Sequence, residues 1–270
     1  MKVKEENPNV AANFKISEPL RNKLRENGIE ALFLIQAMTF DTILDGTDLV
    51  GRARTGQGKT LAFVLPILES LTNGALKTYR KTGYGRSLSV LVLLPTKELS
   101  TQVASDFKVY GGSLGLIRSV CMDIVVGTPG RIKDHIERGN VDFSSIKFRV
   151  LDEADEMLRM GFVEDVEYIL GKVEDTKKVQ TLLFSATLPI WVKQIATRFL
   201  KPDKKTADLV VYYLKSVFNC CTNKLIVSKI SGILEITISA CRYTECTLLN
   251  KILPLFYFSC YISIFVSQID

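Results

Sequence analysis

The chain has 270 residues, 47% apolar and 24% charged, ordinary proportions for a soluble protein with one large core or a domain plus an appendage. Its net charge of +6 is compatible with a polyanionic partner but too small to establish one. The polar stretch Met1–Asn13 holds no apolar run, so no secretory signal is expected. The six cysteines contain no C-x2-C spacing, which argues against a zinc site and for free thiols in a reducing compartment.

From the N-terminus, short apolar runs read as buried parallel strands at 48–52, 89–94, 123–126, 148–151 and 181–184. After each comes a stretch with apolar residues three and four apart, which predicts helices over 59–71, 97–107, 131–138, 155–173 and 189–199. Repeated strand–helix units of this length predict an α/β fold, a parallel sheet with helices on both faces and the ligand site at the carboxyl ends of the strands. Three segments follow: a polar 1–12, the α/β domain 13–210, and a tail 211–270 in which Cys220, Cys221, Cys241, Cys246 and Cys260 crowd together. Residues 252–269 are uncharged, but Pro254 and several Ser and Gln residues weaken them as a spanning helix, and no membrane association is expected.

After the first strand comes Ala53-Arg54-Thr55-Gly56-Gln57-Gly58-Lys59-Thr60, which opens a helix. Gly56 and Gly58 let backbone N–H groups approach phosphate oxygens, and the helix N-terminus adds partial positive charge. Lys59 is placed to carry charge to the β and γ phosphates, and Thr60 to offer a hydroxyl to Mg²⁺. Ala53 stands where the generic pattern has glycine. The fourth strand ends in Asp152-Glu153-Ala154-Asp155. A strand-end carboxylate at Asp152 suits Mg²⁺ held through water, and Glu153 suits activation of an attacking water. An acidic helix start would account for Asp155 alone.

Pro95-Thr96-Lys97-Glu98-Leu99-Ser100 and Thr128-Pro129-Gly130-Arg131 each follow a strand and begin a helix, where backbone N–H groups can meet phosphates. Plain helix starts, with Thr96 or Thr128 as N-cap, would explain each one taken singly. Ser185-Ala186-Thr187 closes the fifth strand, and Phe14 and Gln36 flank the segment Ile16–Ile35. Taken in order, these segments resemble the first RecA-like domain of DEAD-box ATP-dependent RNA helicases, over roughly residues 7–210. The wording of the stretches around Gln36, His135 and Gly161 is similar to the nucleolar RNA helicase II (Gu) branch, especially its plant members. The resemblance implies ATP and Mg²⁺ as cofactors and sequence-independent contact with RNA backbone through Pro95, Thr96, Lys97, Thr128, Pro129, Gly130 and Arg131. It implies that Gln36 reads the adenine edge with Phe14 stacked nearby, and that Ser185, Ala186 and Thr187 couple hydrolysis to strand separation. A nuclear or nucleolar address is implied by the branch alone.

Departures from the pattern accompany the likeness. Leu34 stands where the family has proline, and Lys97 replaces an arginine, keeping the charge but losing the planar fork. The stretch between Ser100 and Thr128 is short by a strand, a glycine doublet and a short helix, so the sheet is expected to lack one strand–helix unit and to suffer if that strand lies inside it. Residues 211–270 do not resemble a second RecA-like domain. Loss of the arginine finger such a domain carries lowers turnover by about 10³–10⁵ in P-loop systems. Two readings follow: a helicase domain missing its second lobe, which a further domain or partner must complete, or a module that binds ATP and RNA without turnover.

Overall fold

The structure, a computed structural model, describes residues 8–73, 88–114, 124–173, 178–210 and Tyr212. The expected tail, apart from Tyr212, therefore lies outside the described residues, as does Cys121. By contacts the chain divides after Val210, and the fold below is that of the first unit. No helix among the described residues is long and apolar enough to cross a membrane.

The elements in order are α1 (Glu18–Glu26), α2 (Leu34–Leu44), β1 (Leu49–Arg52), α3 (Lys59–Asn73), β2 (Val90–Leu93) and α4 (Lys97–Ser113). They continue with β3 (Ile124–Gly127), α5 (Pro129–Glu137), β4 (Phe148–Leu151), α6 (Ala154–Arg159) and α7 (Val163–Gly171). Last come β5 (Gln180–Ser185), α8 (Ile190–Phe199) and β6 (Lys205–Asp208). The six strands form one sheet in the order β3-β2-β4-β5-β1-β6, every pair parallel.

Alternation along the strands divides the core between the two faces. Val50, Leu91, Leu93, Leu151 and Leu183 pack with Val166, Ile169, Val192 and Ile195 of α7 and α8. Phe184 meets Phe63 of α3 at a centroid distance of 5.5 Å, and Phe63 meets Phe107 of α4 at 6.4 Å. Gly51 pairs with Phe184 across β1 and β5, and a Cβ there would lie 2.5 Å from the Phe184 ring. Only glycine lets that ring cross the strand.

The five expected strands are present to within a residue or two at each end. Four differences have physical reasons. The helix expected over 155–173 is two helices, because Gly161 adopts φ +80° and closes α6. Its N–H donates to Leu158 and that of Phe162 to Met157, the paired bonds of a left-handed helix stop. β6 had no apolar signature: Lys205-Thr206-Ala207-Asp208 is an edge strand with only Ala207 buried. Helices α1 and α2 fill the segment read only as a motif. Finally, the shortening between Ser100 and Thr128 does not open the described sheet internally. β3, the strand after the shortened stretch, is the sheet's edge, paired with β2 alone and half-buried at all four residues, so its neighbours keep their ladders.

Candidate nucleotide site and nucleic-acid interface

Because all six strands run the same way, the segments following β1 to β5 gather at one edge of the sheet. The strand order then sorts them. The phosphate loop after β1 and the acidic segment after β4 flank the end of β5, while the helix starts after β2 and β3 lie together at the opposite end.

In the loop, Ala53 is buried and its N–H donates to the Ser185 carbonyl. Gln57 Oε1 accepts the Arg54 N–H at 2.7 Å, closing a turn that leaves Arg54, Thr55 and Gly56 exposed. Gly56 and Gly58 both adopt the left-handed region, φ +82° and +81°. Lys59 begins α3 with its ammonium buried and without a hydrogen-bond partner; its ion-pair contact is Glu153 Oε1 at 3.9 Å. A buried ammonium without a hydrogen bond at a helix N-terminus is a site that a phosphate would complete.

Asp152 is 3% exposed, and burial raises its carboxyl to about 6 despite the pull of Lys59; the neighbouring Glu153 adds to the rise. Its Oδ1 accepts the Glu153 N–H at 2.9 Å. Glu153 is the only non-glycine residue among those described with positive φ, +54°, and it stands at the start of α6. That strained conformation lets the chain turn from β4 into the helix while keeping the Glu153 side chain against Lys59. Asp152 and the half-buried Thr60 hydroxyl are hard oxygen donors that fit Mg²⁺, whose charge would relieve the cost of burying the Asp152 carboxylate.

Asp155, read from sequence as an ordinary helix start, has connections across the sheet edge that the sequence did not signal. Its Oδ2 accepts from Thr187 Oγ1 at 2.6 Å and Thr187 N at 2.9 Å, and its Oδ1 from Ala186 N at 3.4 Å. Its own N–H donates to Ser185 Oγ at 3.2 Å. Burial disfavours its charge, but hydrogen bonding with Thr187, Ser185 and Ala186 outweighs burial and holds its carboxyl below the usual range. The whole Ser185-Ala186-Thr187 segment is thus bonded to the residue three positions after Asp152.

Gln36, taken alone an unremarkable surface residue, is 3% exposed. Its Oε1 accepts the Phe33 N–H at 2.9 Å, and its Nε2 donates to the Gly58 carbonyl at 3.0 Å, binding α2 to the phosphate loop. Beside it lies a pocket of about 320 Å³, lined by residues including Ile29, Phe33, Gln36 and Leu61. Phe14 is not part of that lining; it packs edge-on against Phe40 at 5.7 Å.

At the other end, Thr96 caps α4 by accepting the Leu99 N–H at 3.3 Å, with Lys97 exposed and Pro95 buried. Thr128 precedes α5 in extended conformation without a side-chain cap bond, Pro129 is buried, and Gly130 lies against Asp165. Arg131 is exposed, its guanidinium 3.3 Å from Asp134. Lys97 and Arg131 therefore stand as surface cations on helix starts that follow adjacent strands.

A glycine-rich loop, a buried lysine and a strand-end carboxylate thus gather at one edge of an all-parallel, helix-covered sheet, the architecture of a RecA-like domain. The family profile described as DEAD/DEAH box helicase matches residues 33–195, and the chain belongs to that family. It is 71% identical to DEAD-box ATP-dependent RNA helicase 7 of Arabidopsis thaliana, the alignment covering 77% of this chain and 33% of that protein. It is 43% identical to nucleolar RNA helicase 2 of Rattus norvegicus, over 74% of this chain and 27% of the relative. Among solved structures it is similar to a DEAD box protein from the hyperthermophile Methanococcus jannaschii. That likeness has a TM-score of 0.62 and 33% identity, covering 74% of this chain and 55% of the other. The chain thus spans about a third of the length of the first of these relatives.

Proposed function

We propose that this chain is the ATP-binding half of an ATP-dependent RNA helicase, in which nucleotide and RNA backbone occupy opposite ends of the same sheet edge. Arg54 to Thr60 cradle the phosphates, with Lys59 supplying charge and Thr60 and Asp152 holding Mg²⁺ beside them. Held by Thr60 and Asp152, Mg²⁺ would supply positive charge beside the phosphates. Glu153 orients the attacking water and accepts its proton. Gln36, with Phe14 behind it through Phe40, belongs to the base end of the site. Pro95, Thr96 and Lys97, with Thr128 to Arg131, hold RNA by its phosphates, without reading sequence and with strong salt dependence. Ser185, Ala186 and Thr187 relay changes at the acidic segment. A second RecA-like domain or partner completes the machinery for unwinding. A nucleolar address comes to this chain only from relatives named for it at 43% identity.

The observation that carries this reading is the buried Lys59 ammonium, unpaired by hydrogen bonds and facing the carboxylates of the acidic segment. It is tested by titrating the chain and its Lys59→Ala variant with a fluorescent ATP analogue and Mg²⁺, then measuring hydrolysis with and without single-stranded RNA. Saturable binding lost in the variant supports the nucleotide site, and RNA-stimulated turnover supports the helicase reading. Tight binding with no response to RNA favours a module that binds without turnover.

A further inference from the structure

The start of α5 carries an anion of the chain's own. Pro129, its first residue, has no N–H, and Thr128 before it makes no side-chain cap bond. Gly130 follows, and a Cβ built there would lie 3.8 Å from Asp165 Oδ2. The other oxygen of that carboxylate, Oδ1, accepts from the Lys133 ammonium at 2.7 Å. Lys133 is three residues after Gly130, so the two share one face of α5, and Asp165 reaches that face from the first turn of α7. The pair is braced from the side. Lys133 lies 5.7 Å from the centre of the Tyr168 ring, which Lys172 approaches at 4.4 Å.

The other helix start differs. Thr96 caps α4 with its own hydroxyl, and Lys97 stands exposed with no ion pair among the described residues. On α5, Arg131 is exposed, but the charge of Lys133 is already matched by Asp165, and that pairing raises its pKa above the ordinary value. A carboxylate and a phosphate have the same attraction to a helix N-terminus and to an ammonium, so Asp165 holds the place a phosphate would take. A lysine neutralised from within the protein also displaces no counterion from a nucleic acid, and adds nothing to the salt-dependent part of its binding. With side-chain exposures of 36% and 24%, Lys133 and Asp165 are both still within reach of solvent.

Resting on the RNA-binding reading above, we propose that Asp165 attenuates RNA binding: it occupies Lys133 and the start of α5 as a phosphate would, and RNA must compete with it. Asp165 is a positioning residue, since it acts on RNA through Lys133 and not by touching it. Released from Asp165, Lys133 becomes a further phosphate contact beside Gly130 and Arg131. The grip of this end of the sheet edge on RNA is therefore set below its maximum by one carboxylate of α7.

The test titrates a fluorescent single-stranded RNA against the full chain over a salt series. The wild type is compared with Asp165→Asn, Lys133→Gln and the double variant. Glu164→Gln, which removes an exposed charge from the same turn of α7, is the control. Asp165→Asn keeps the size of the side chain and is expected to tighten binding about five- to tenfold at about 50 mM salt. It should steepen the plot of log affinity against log salt by about 0.7, the slope of one added phosphate contact on a single strand, and lose most of its gain at about 0.5 M. The double variant should return to the wild-type slope, and Glu164→Gln should leave it unchanged. The proposal is overturned if Asp165→Asn binds no more tightly than the wild type, if its gain survives high salt, or if Glu164→Gln steepens the slope as much. Should Asp165→Asn fail to fold, Lys133→Gln decides: it leaves Asp165 unpaired at the helix start and should weaken RNA several-fold at low salt, and an unchanged affinity overturns the proposal. No RNA binding by the wild type or any variant at low salt, with ATP still bound, overturns the RNA reading itself and this proposal with it, a result distinct from the others.

Discussion

The Thr187 hydroxyl donates a 2.6 Å hydrogen bond to Asp155 Oδ2, and the Thr187 N–H reaches the same oxygen at 2.9 Å. This pair fastens the end of β5 to the first turn of α6, directly behind Asp152 and Glu153. Any movement of the acidic segment is therefore transmitted to Thr187, and the converse holds. Thr187→Val keeps the shape and the backbone bond but removes the hydroxyl from an ionised acceptor. The variant is expected to lose about 1.5–3 kcal/mol, the range in which hydrogen bonds to charged groups contribute. Denaturant titration checks the loss, and a double-mutant cycle with Asp155→Asn should return a coupling of similar size. Strict additivity of the two changes would sink the claim that they act as one unit.

Two glycines of the phosphate loop share a conformation but not a neighbourhood. At Gly56, φ +82° is strained for any other residue, yet nothing lies within 4 Å of the added Cβ. At Gly58 the same strain is joined by collisions with Gln36 Nε2 and Phe33 Cδ2, each at 2.5 Å. Gly56→Ala is expected to weaken ATP binding modestly, through about 1–2 kcal/mol of backbone strain. Gly58→Ala forces Gln36 off the loop and should lower ATP affinity at least tenfold more than Gly56→Ala, with little change in the far-ultraviolet circular dichroism spectrum. Equal effects from the two variants would mean that the Gln36–Gly58 bond has no part in shaping the loop.

The glycine-rich loop after β1 and the acidic segment after β4 could be located in the sequence because their signals are local: glycines, a lysine and carboxylates at fixed spacing on a strand–helix turn. The buried strands were legible because Val, Leu and Phe occur there in short runs. What escaped depends on distant partners. Lys205–Asp208 carries no apolar run and becomes a strand only because β1 offers it an edge. The periodic pattern of 155–173 continues through Gly161, so the break at that glycine was masked by apolar residues on both sides. Gln36 and Asp155 look like surface residues until Gly58 and Thr187 are brought to them. Arg149 and Asp48 are charged residues within runs read as buried strands, and each is 1% exposed; the partners that satisfy them come from distant elements that the sequence does not place.

Arg149 lies on β4 and donates to Thr181 Oγ1 at 2.6 Å, to the Leu170 carbonyl at 3.1 Å and to the Phe199 carbonyl. The last two belong to the final turns of α7 and α8, so one guanidinium caps two helix ends whose partial negative charge favours it. Burial lowers its pKa to about 10, with Asp48 opposing the fall, and it stays charged at neutral pH. Arg149→Met keeps apolar bulk but leaves two buried carbonyls and the Thr181 hydroxyl without this donor. It is expected to lower stability by about 2–4 kcal/mol. Arg149→Lys, which lacks the fork to reach all three acceptors, should recover only part of that. A midpoint for Arg149→Met within error of the wild type would show that the helix ends find other donors.

The nucleotide-free chain should carry a pH dependence that originates in Asp152. Its carboxyl rises from the ordinary 3.8 to about 6, chiefly because the folded protein buries it. The folded state therefore binds a proton more readily than the unfolded chain between those two values. This group's contribution is fully present below about pH 4 and is lost as pH rises through about 6. At pH 8 the ionised, buried carboxylate costs on the order of 2–3 kcal/mol, as a shift of that size implies. Asp152→Asn is nearly isosteric and keeps an oxygen for the Glu153 N–H. It should be more stable than the wild type at pH 8, and no more stable below pH 4. Binding of ATP with Mg²⁺ should run the other way: it requires the ionised carboxylate, so wild-type affinity rises as pH passes through about 6, and Asp152→Asn loses that rise. Thermal melts of both proteins from pH 4 to 8, with and without nucleotide, check both slopes. An Asp152→Asn chain no more stable than the wild type at pH 8 would mean that the carboxylate is already compensated in the empty site, and that the acidic segment is not held in a destabilised state ready for a cation.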